Sequence, residues 1–326
     1  DKRDKTNTVT NPLKEINPTK DVTVKVGGAS ANGKSIYKGR SFLYQLDSSI
    51  LPANRAYPQV DKWDIVDSLD PVFDEYTGQW AVYATRDLLS GGEVLASKGD
   101  RIAGSGFDSS KLGGDLFTLS AATVDGRNVV TIEATDRYRA LVSDDSHEAG
   151  WRAYIQCKRL AVTDRHENQF TEHYNGKTLE SNVVWTRTPD MTPSIDVQKW
   201  DRKSGWPNGD RDNSKDALTV SGDTEIVFTI TNTSKTDPDT KQGAVFRTKD
   251  IKLEDSTIVG DGEVVDLKYP ANWDTKVLKP GESVEVTGTL KGVTKTHTDR
   301  AKVTGTPLTE CPVDTSAPFG DGTSDD

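Results

Sequence analysis

Two lysines stand where the strand pattern leaves little room for a positive charge. In Lys20-Asp21-Val22-Thr23-Val24-Lys25-Val26, Lys20 is in phase with three valines. In Ile195-Asp196-Val197-Gln198-Lys199, Lys199 is in phase with Ile195 and Val197. Side chains two apart on a strand share a face, so these lysines point where the valines point, inward. A buried ammonium is costly unless its charge is removed. Condensation with a carboxamide or a carboxylic acid removes it permanently, as an intramolecular Lys–Asn or Lys–Asp amide.

That chemistry needs three groups. The amine attacks only when neutral, and burial among apolar side chains favours the neutral form. A second buried group, a carboxylic acid, donates a hydrogen bond to the target carbonyl and moves protons. Contact supplies the high effective concentration that lets an amide carbon react. The same phase test nominates the partners. Asp67 alternates with Trp63, Ile65 and Leu69, and Asn182 with Val184. Farther on, Asp255 alternates with Ile251 and Leu253, and Asp299 with Ala301 and Val303. Each set runs lysine, acid, then Asn or Asp. Asp64 and Asp70 compete with Asp67 for the acid's role. At the second set, the alternative to a bond is a buried Lys–Asp salt bridge.

The elements that position these residues are strands. The chain has 326 residues, 33% of them hydrophobic and 28% charged. Short β-branched runs separated by Gly, Asn, Asp and Pro predict an all-β fold of two tandem β-sandwich domains. Residues 1–13 read as the tail of an upstream domain and its linker, 14–190 as a first sandwich, 191–308 as an immunoglobulin-like one and 309–326 as a disordered acidic tail. In the first domain, strands are expected at 41–46, 79–84, 116–121, 129–134 and 151–162. Asp125-Gly126 and Asn175-Gly176 signal hairpins. The stretch 86–104 is less regular and is read as holding a short helix. The second domain is expected to place strands at 195–199, 224–231, 250–255, 277–278, 283–290 and 299–305.

Residues 14–190 resemble the C-terminal domains of the streptococcal antigen I/II adhesins. The resemblance rests on Asn17-Pro18-Thr19-Lys20-Asp21-Val22, Phe42-Leu43-Tyr44-Gln45-Leu46, Val66-Asp67-Ser68-Leu69-Asp70 and Ser181-Asn182-Val183-Val184 before Thr188-Pro189. It implies a β-sandwich in which Lys20 is joined to Asn182, with Asp67 assisting, and it implies a calcium site without identifying its ligands. Residues 191–308 are similar to repeated immunoglobulin-like domains of Gram-positive surface proteins. That similarity rests on Thr229-Ile230-Thr231-Asn232-Thr233, Leu278-Lys279-Pro280-Gly281-Glu282-Ser283 and His297-Thr298-Asp299-Arg300-Ala301-Lys302-Val303-Thr304-Gly305. Such domains commonly carry Asn where this chain has Asp299, so a bond here would release water rather than ammonia.

Other groups carry weaker signals. Asp210, Asp212 and Asp216 alternate oxygen ligands in the manner of a calcium loop, but their spacing is not that of an EF-hand, and a solvated loop is the simpler reading. His166 and His173, flanking Glu167 and Glu172, read as exposed loop residues. Cys157 reads as a buried thiol, with a bridge to Cys311 as the alternative. Its neighbour Gln156 cannot close a thioester ring with it. Trp200 and Trp206 are candidates for sugar contacts, against packing as the default. No nucleotide-binding loop, nucleophile elbow or zinc-protease motif occurs. A net charge of −10 argues against a nucleic-acid partner, and no run approaches the length of a membrane span.

The whole reads as a monomeric part of a Gram-positive, cell-wall-anchored adhesin. Its anchor is expected outside this chain, no cofactor is expected to be required although calcium is possible, and no enzymatic chemistry is expected beyond its own cross-linking. Expected partners are a host surface or matrix glycoprotein, or another bacterial surface protein. The alternative is a module that itself binds carbohydrate or host glycoprotein.

Overall fold

A computed structural model describes residues 17–308 and residue 319. The described chain is almost wholly β and falls into two compact units that divide after Thr188.

The first unit has two five-stranded antiparallel sheets. One orders β1 (Thr19–Thr23), β2 (Ser41–Asp47), β10 (Trp151–Arg159), β4 (Asp74–Ala84) and β7 (Arg101–Gly104). The other orders β13 (Lys177–Glu180), β12 (Phe170–Tyr174), β3 (Trp63–Leu69), β9 (Arg127–Ala134) and β8 (Phe117–Val124). A third, small sheet pairs β11 (Thr163–Asn168) with β14 (Val184–Thr188). Period-two alternation builds the core between the large sheets. Trp63, Ile65 and Leu69 on β3 face Phe42, Tyr44, Leu46, Ala153 and Ile155 in one buried cluster. The hairpins β8–β9 and β12–β13 turn at Asp125-Gly126 and Asn175-Gly176, and in each pair both residues have positive φ. That is the backbone of the tight turn whose twist suits two paired strands.

Two local expectations give way. Residues 86–104 hold no helix; they form the hairpin β5 (Leu88–Ser90) with β6 (Glu93–Ala96), and then β7. Gly91 and Gly92, both at positive φ, allow that turn. Among the described residues the α-helix of this unit is α1 (Asp136–Ser143), capped by the Thr135 hydroxyl and buried through Tyr138 and Val142 one turn apart. The strand expected at 151–162 ends at Arg159, and the chain enters a different sheet at Thr163.

The second unit has a four-stranded sheet ordered β15 (Ile195–Asp201), β16 (Thr224–Asn232), β21 (Ser283–Lys291) and β19 (Glu263–Lys268). The pair β18 (Lys252–Val259) with β22 (Thr298–Thr304) and the short pair β17 (Phe246–Arg247) with β20 (Val277–Leu278) complete it. Ile226, Phe228, Ile230, Val284, Val286 and Leu253 form its core. Among the described residues, no helix is long and apolar enough to cross a membrane.

Candidate cross-linking sites

β1 puts Lys20 and Val22 on its inward face, and both are buried. The Lys20 side chain is wholly enclosed, as is that of Asp67 on β3, and Nζ of the lysine contacts Oδ2 of the aspartate. The other neighbour of Nζ is Oδ1 of Asn168, 3.2 Å away. The Tyr44 ring lies beneath Nζ at 4.3 Å from its centroid, and the Phe170 ring at 5.7 Å. Water is therefore shut out. Burial pushes the Lys20 amine down from its usual value, against the opposing charge of Asp67. Burial likewise pushes the Asp67 carboxyl up, against Lys20. Both shifts favour the uncharged forms. Asp67 Oδ1 is buried and makes no protein hydrogen bond.

The expected partner, Asn182, does not reach the amine. It is exposed and precedes β14. Its Oδ1 accepts from the Lys20 backbone N–H at 2.8 Å and its Nδ2 donates to the Lys20 carbonyl at 3.0 Å. Asn182 thus acts like one more rung of a β-ladder on β1, and Asn168 holds the place beside Nζ. A signal for Asn168 existed in the sequence. His166, Asn168, Phe170, Glu172 and Tyr174 are all buried, in an unbroken alternation that lies beyond the strand expected at 151–162, in the stretch read as exposed loop. Asp64 and Asp70 have partners other than the Lys20 amine. Asp64 pairs with Lys62 and His173, and Asp70 accepts from the Val72 N–H.

The histidines are not loop residues. His166 is buried, with Nε2 at 3.0 Å from Asp74 Oδ2. Asp74 also takes the Arg159 guanidinium at 2.9 Å and the Tyr44 hydroxyl at 2.6 Å. Arg159 continues to the hydroxyls of Thr186 and Thr188 on β14. Burial pushes Asp74 up, but His166, Arg159 and Tyr44 outweigh it and hold the carboxyl below its usual value. Glu172, fully buried, accepts from Ser49 N–H and Trp63 Nε1–H. Only Glu167 of the four is as exposed as expected, and His173 is half-buried. Cys157 is buried in the core, and burial pushes its thiol up; Cys311 lies outside the described residues, as do 1–16 and most of the C-terminal tail. Gln156, on the opposite face, accepts from the Thr77 hydroxyl.

In the second unit β15, β18 and β22 bring Lys199, Asp255 and Asp299 together. Lys199 Nζ donates to Asp255 Oδ1 at 2.8 Å and contacts Asp299 Oδ2. The Phe228 ring lies 5.5 Å from the amine. The lysine side chain keeps 19% of its surface exposed, so this site is less sealed than the first. Its two carboxyls diverge. Burial pushes Asp255 up, with Lys199 opposing. Burial also pushes Asp299 up, but Lys199 and then His297 outweigh it and hold Asp299 below its usual value. His297, which strand phase places on the face of Asp299, was missed; its Nε2 is 3.0 Å from Asp299 Oδ2.

Asp210, Asp212 and Asp216 do not assemble a cage. Among the described residues no group of three or more His, Cys, Asp or Glu side chains is placed to hold one metal ion. Trp200 is buried, its Nε1–H on the Thr229 hydroxyl, whereas Trp206 is exposed.

Each of the two β-rich units sets a lysine amine against side chains of other strands, Asp67 and Asn168 in the first and Asp255 and Asp299 in the second. The chain belongs to the family described as cell surface antigen C-terminus, whose model matches residues 17–189. It is 34% identical over 192 residues to the aggregation substance of Enterococcus faecalis, covering 58% of this chain and 14% of that protein. It therefore spans about a seventh of that relative. The C-terminal domain of the Streptococcus pyogenes antigen I/II-family protein AspA is 29% identical, over 54% of this chain and 48% of that one, with a TM-score of 0.46. The C-terminal domain of the Streptococcus agalactiae AgI/II polypeptide BspA is 25% identical, over 53% and 50%, with a TM-score of 0.45.

Proposed function

We propose that both units are stapled by self-formed amide bonds and serve as a load-bearing part of an adhesin held on a Gram-positive cell wall. The observation that carries this reading is the Lys20 amine, wholly enclosed between the Asp67 carboxyl and the Asn168 carboxamide. The neutral amine attacks Cγ of Asn168. Asp67 relays a proton from the amine nitrogen to the departing nitrogen, which leaves as ammonia. The product is uncharged, so the burial penalty on the ammonium disappears. At the second site, Lys199 condenses with Asp299, Asp255 assists, and water leaves.

Intact mass decides. The mature chain is expected about 17 Da light from the first bond and about 18 Da light from the second, by loss of ammonia and of water. An unmodified mass overturns both bonds. A loss near 17 Da alone leaves Lys199 in a salt bridge with its two aspartates.

A second reading, recognition of a host or bacterial glycoprotein by the first unit itself, is favoured by one cleft. It is an open cleft of about 550 Å³ lined by Asp47, Tyr83, Arg86, Lys98 and Arg152 among others. That volume is in the range of small-ligand sites. A glycan-array signal lost in Tyr83→Ala, with both mass losses intact, would support it; no signal from the parent chain would remove it.

A further inference from the structure

We propose that His297 is a catalytic residue of the second site, the proton donor to the departing oxygen of Asp299. This rests on the Lys199–Asp299 condensation proposed above and adds a fourth member to its machinery. His297 immediately precedes β22, and its side chain is only 9% exposed. Nδ1 lies 2.7 Å from the backbone carbonyl of Asp261, and Nε2 lies 3.0 Å from Asp299 Oδ2. A carbonyl oxygen can only accept, so Nδ1 carries a hydrogen. Nε2 then either accepts a proton from an Asp299 carboxylic acid or, as imidazolium, donates one to the carboxylate. In both cases one proton lies between Nε2 and Oδ2, the oxygen that also contacts Lys199 Nζ. The Asp261 carboxylate accepts from the Thr294 N–H at 2.9 Å and the Lys295 N–H at 3.3 Å, which holds in place the carbonyl that orients the ring.

Asp299 makes this proton necessary. A carboxylate paired with an ammonium is a poor electrophile, and its oxygen leaves only as water. The balance closes with the groups present. Asp255 takes one proton from the Lys199 ammonium, and the freed amine bonds to Cγ of Asp299. Nε2–H of His297 passes to Oδ2, and the proton held by Asp255 follows. The Cγ–Oδ2 bond breaks and water departs. The surplus proton on the new amide nitrogen returns to His297. Ammonium and carboxylate have become amide and water; His297 and Asp255 end as they began. The first site has no such imidazole beside its amine, since His166 is turned to Asp74. Its leaving group is ammonia, which needs no protonated carboxylate.

The test follows intact mass with time after purification of the full chain. The parent is expected to show both losses at once. His297→Gln keeps a hydrogen-bond donor but has no proton to give; it is expected to lose the first-site ammonia normally and the second-site water at least about tenfold more slowly, since general acid–base catalysis contributes at least that much. Adding Asp299→Asn to His297→Gln substitutes an electrophile that leaves as ammonia and is expected to restore rapid cross-linking. A parent chain without the water loss overturns the second bond and this role with it. A parent with the loss and His297→Gln equally fast overturns the proton donor alone. If the double variant also fails to cross-link, His297 is a packing residue and the proposal falls.

Discussion

At the residue scale, the first site turns on two asparagines that sit at opposite ends of the same lysine. Asn168 faces the amine, and Asn182 grips the backbone of Lys20. They therefore separate by mutation. Asn168→Ala is expected to retain the full mass of the first unit, whereas Asn182→Ala keeps the loss of about 17 Da and gives up roughly 1–2 kcal/mol of stability for two hydrogen bonds. Mass spectrometry and urea denaturation of the two variants check this; the reverse mass pattern returns the bond to Asn182. Asp67→Ala is expected to stop the first bond, because no other carboxyl contacts Lys20 among the described residues. Persistence of the loss in that variant removes Asp67 as the acid. Lys20, Asp67, Lys199, Asp255 and Asp299 were all legible from strand phase. The inward phase of Asn168 was legible too, but not that it, rather than Asn182, meets the amine, because strand phase gives a residue's face and not its neighbour across the core.

At the scale of elements, the Asp74–Arg159 pair joins β4 to β10 and, through Thr186 and Thr188, to β14. Both side chains are fully buried. Removing one partner strands a charge in the interior, so Asp74→Ala is expected to cost about 3–5 kcal/mol, read by urea denaturation; a cost under about 1 kcal/mol, the scale of a surface pair, would show the pair to be dispensable. The acid response has a definite sign. The Asp74 carboxyl is held below its usual value in the folded chain. Its contribution is thus complete above the unfolded carboxylate's pKa and is lost as pH falls through the lower folded value. Thermal melting between neutral pH and pH of about 3 is expected to fall more steeply in the parent than in Asp74→Asn. An equal fall in both would mean that other carboxyls govern acid unfolding. The Asp-Gly and Asn-Gly hairpins were readable because their backbone requirement is local. The hairpin at 88–96 and α1 were not, since a double glycine and a short amphipathic stretch each admit more than one structure.

For the whole molecule, the consequence is mechanical. A bond between Lys20 and Asn168 closes a loop across a sequence separation of 148 residues. On the chain-entropy account this restricts the unfolded chain by about 5 kcal/mol. Force applied along the chain would pass through each staple, and the residues inside it could not extend. Single-molecule pulling is expected to release no length from within either stapled loop of the parent. Lys20→Met is expected to release about 500 Å from the first unit, at roughly 3.5 Å per residue. A parent that extends fully under load overturns the stalk role whatever its mass. By itself, the sequence determined the all-β class, the inward phase of both lysines and the identity of most groups around them, because side-chain alternation is a local property of extended backbone. Only the tertiary structure decided which carboxamide meets the Lys20 amine and that His297 meets Asp299. Those contacts depend on how separate sheets are docked, and strand phase records the face of a residue but not its neighbour across the core.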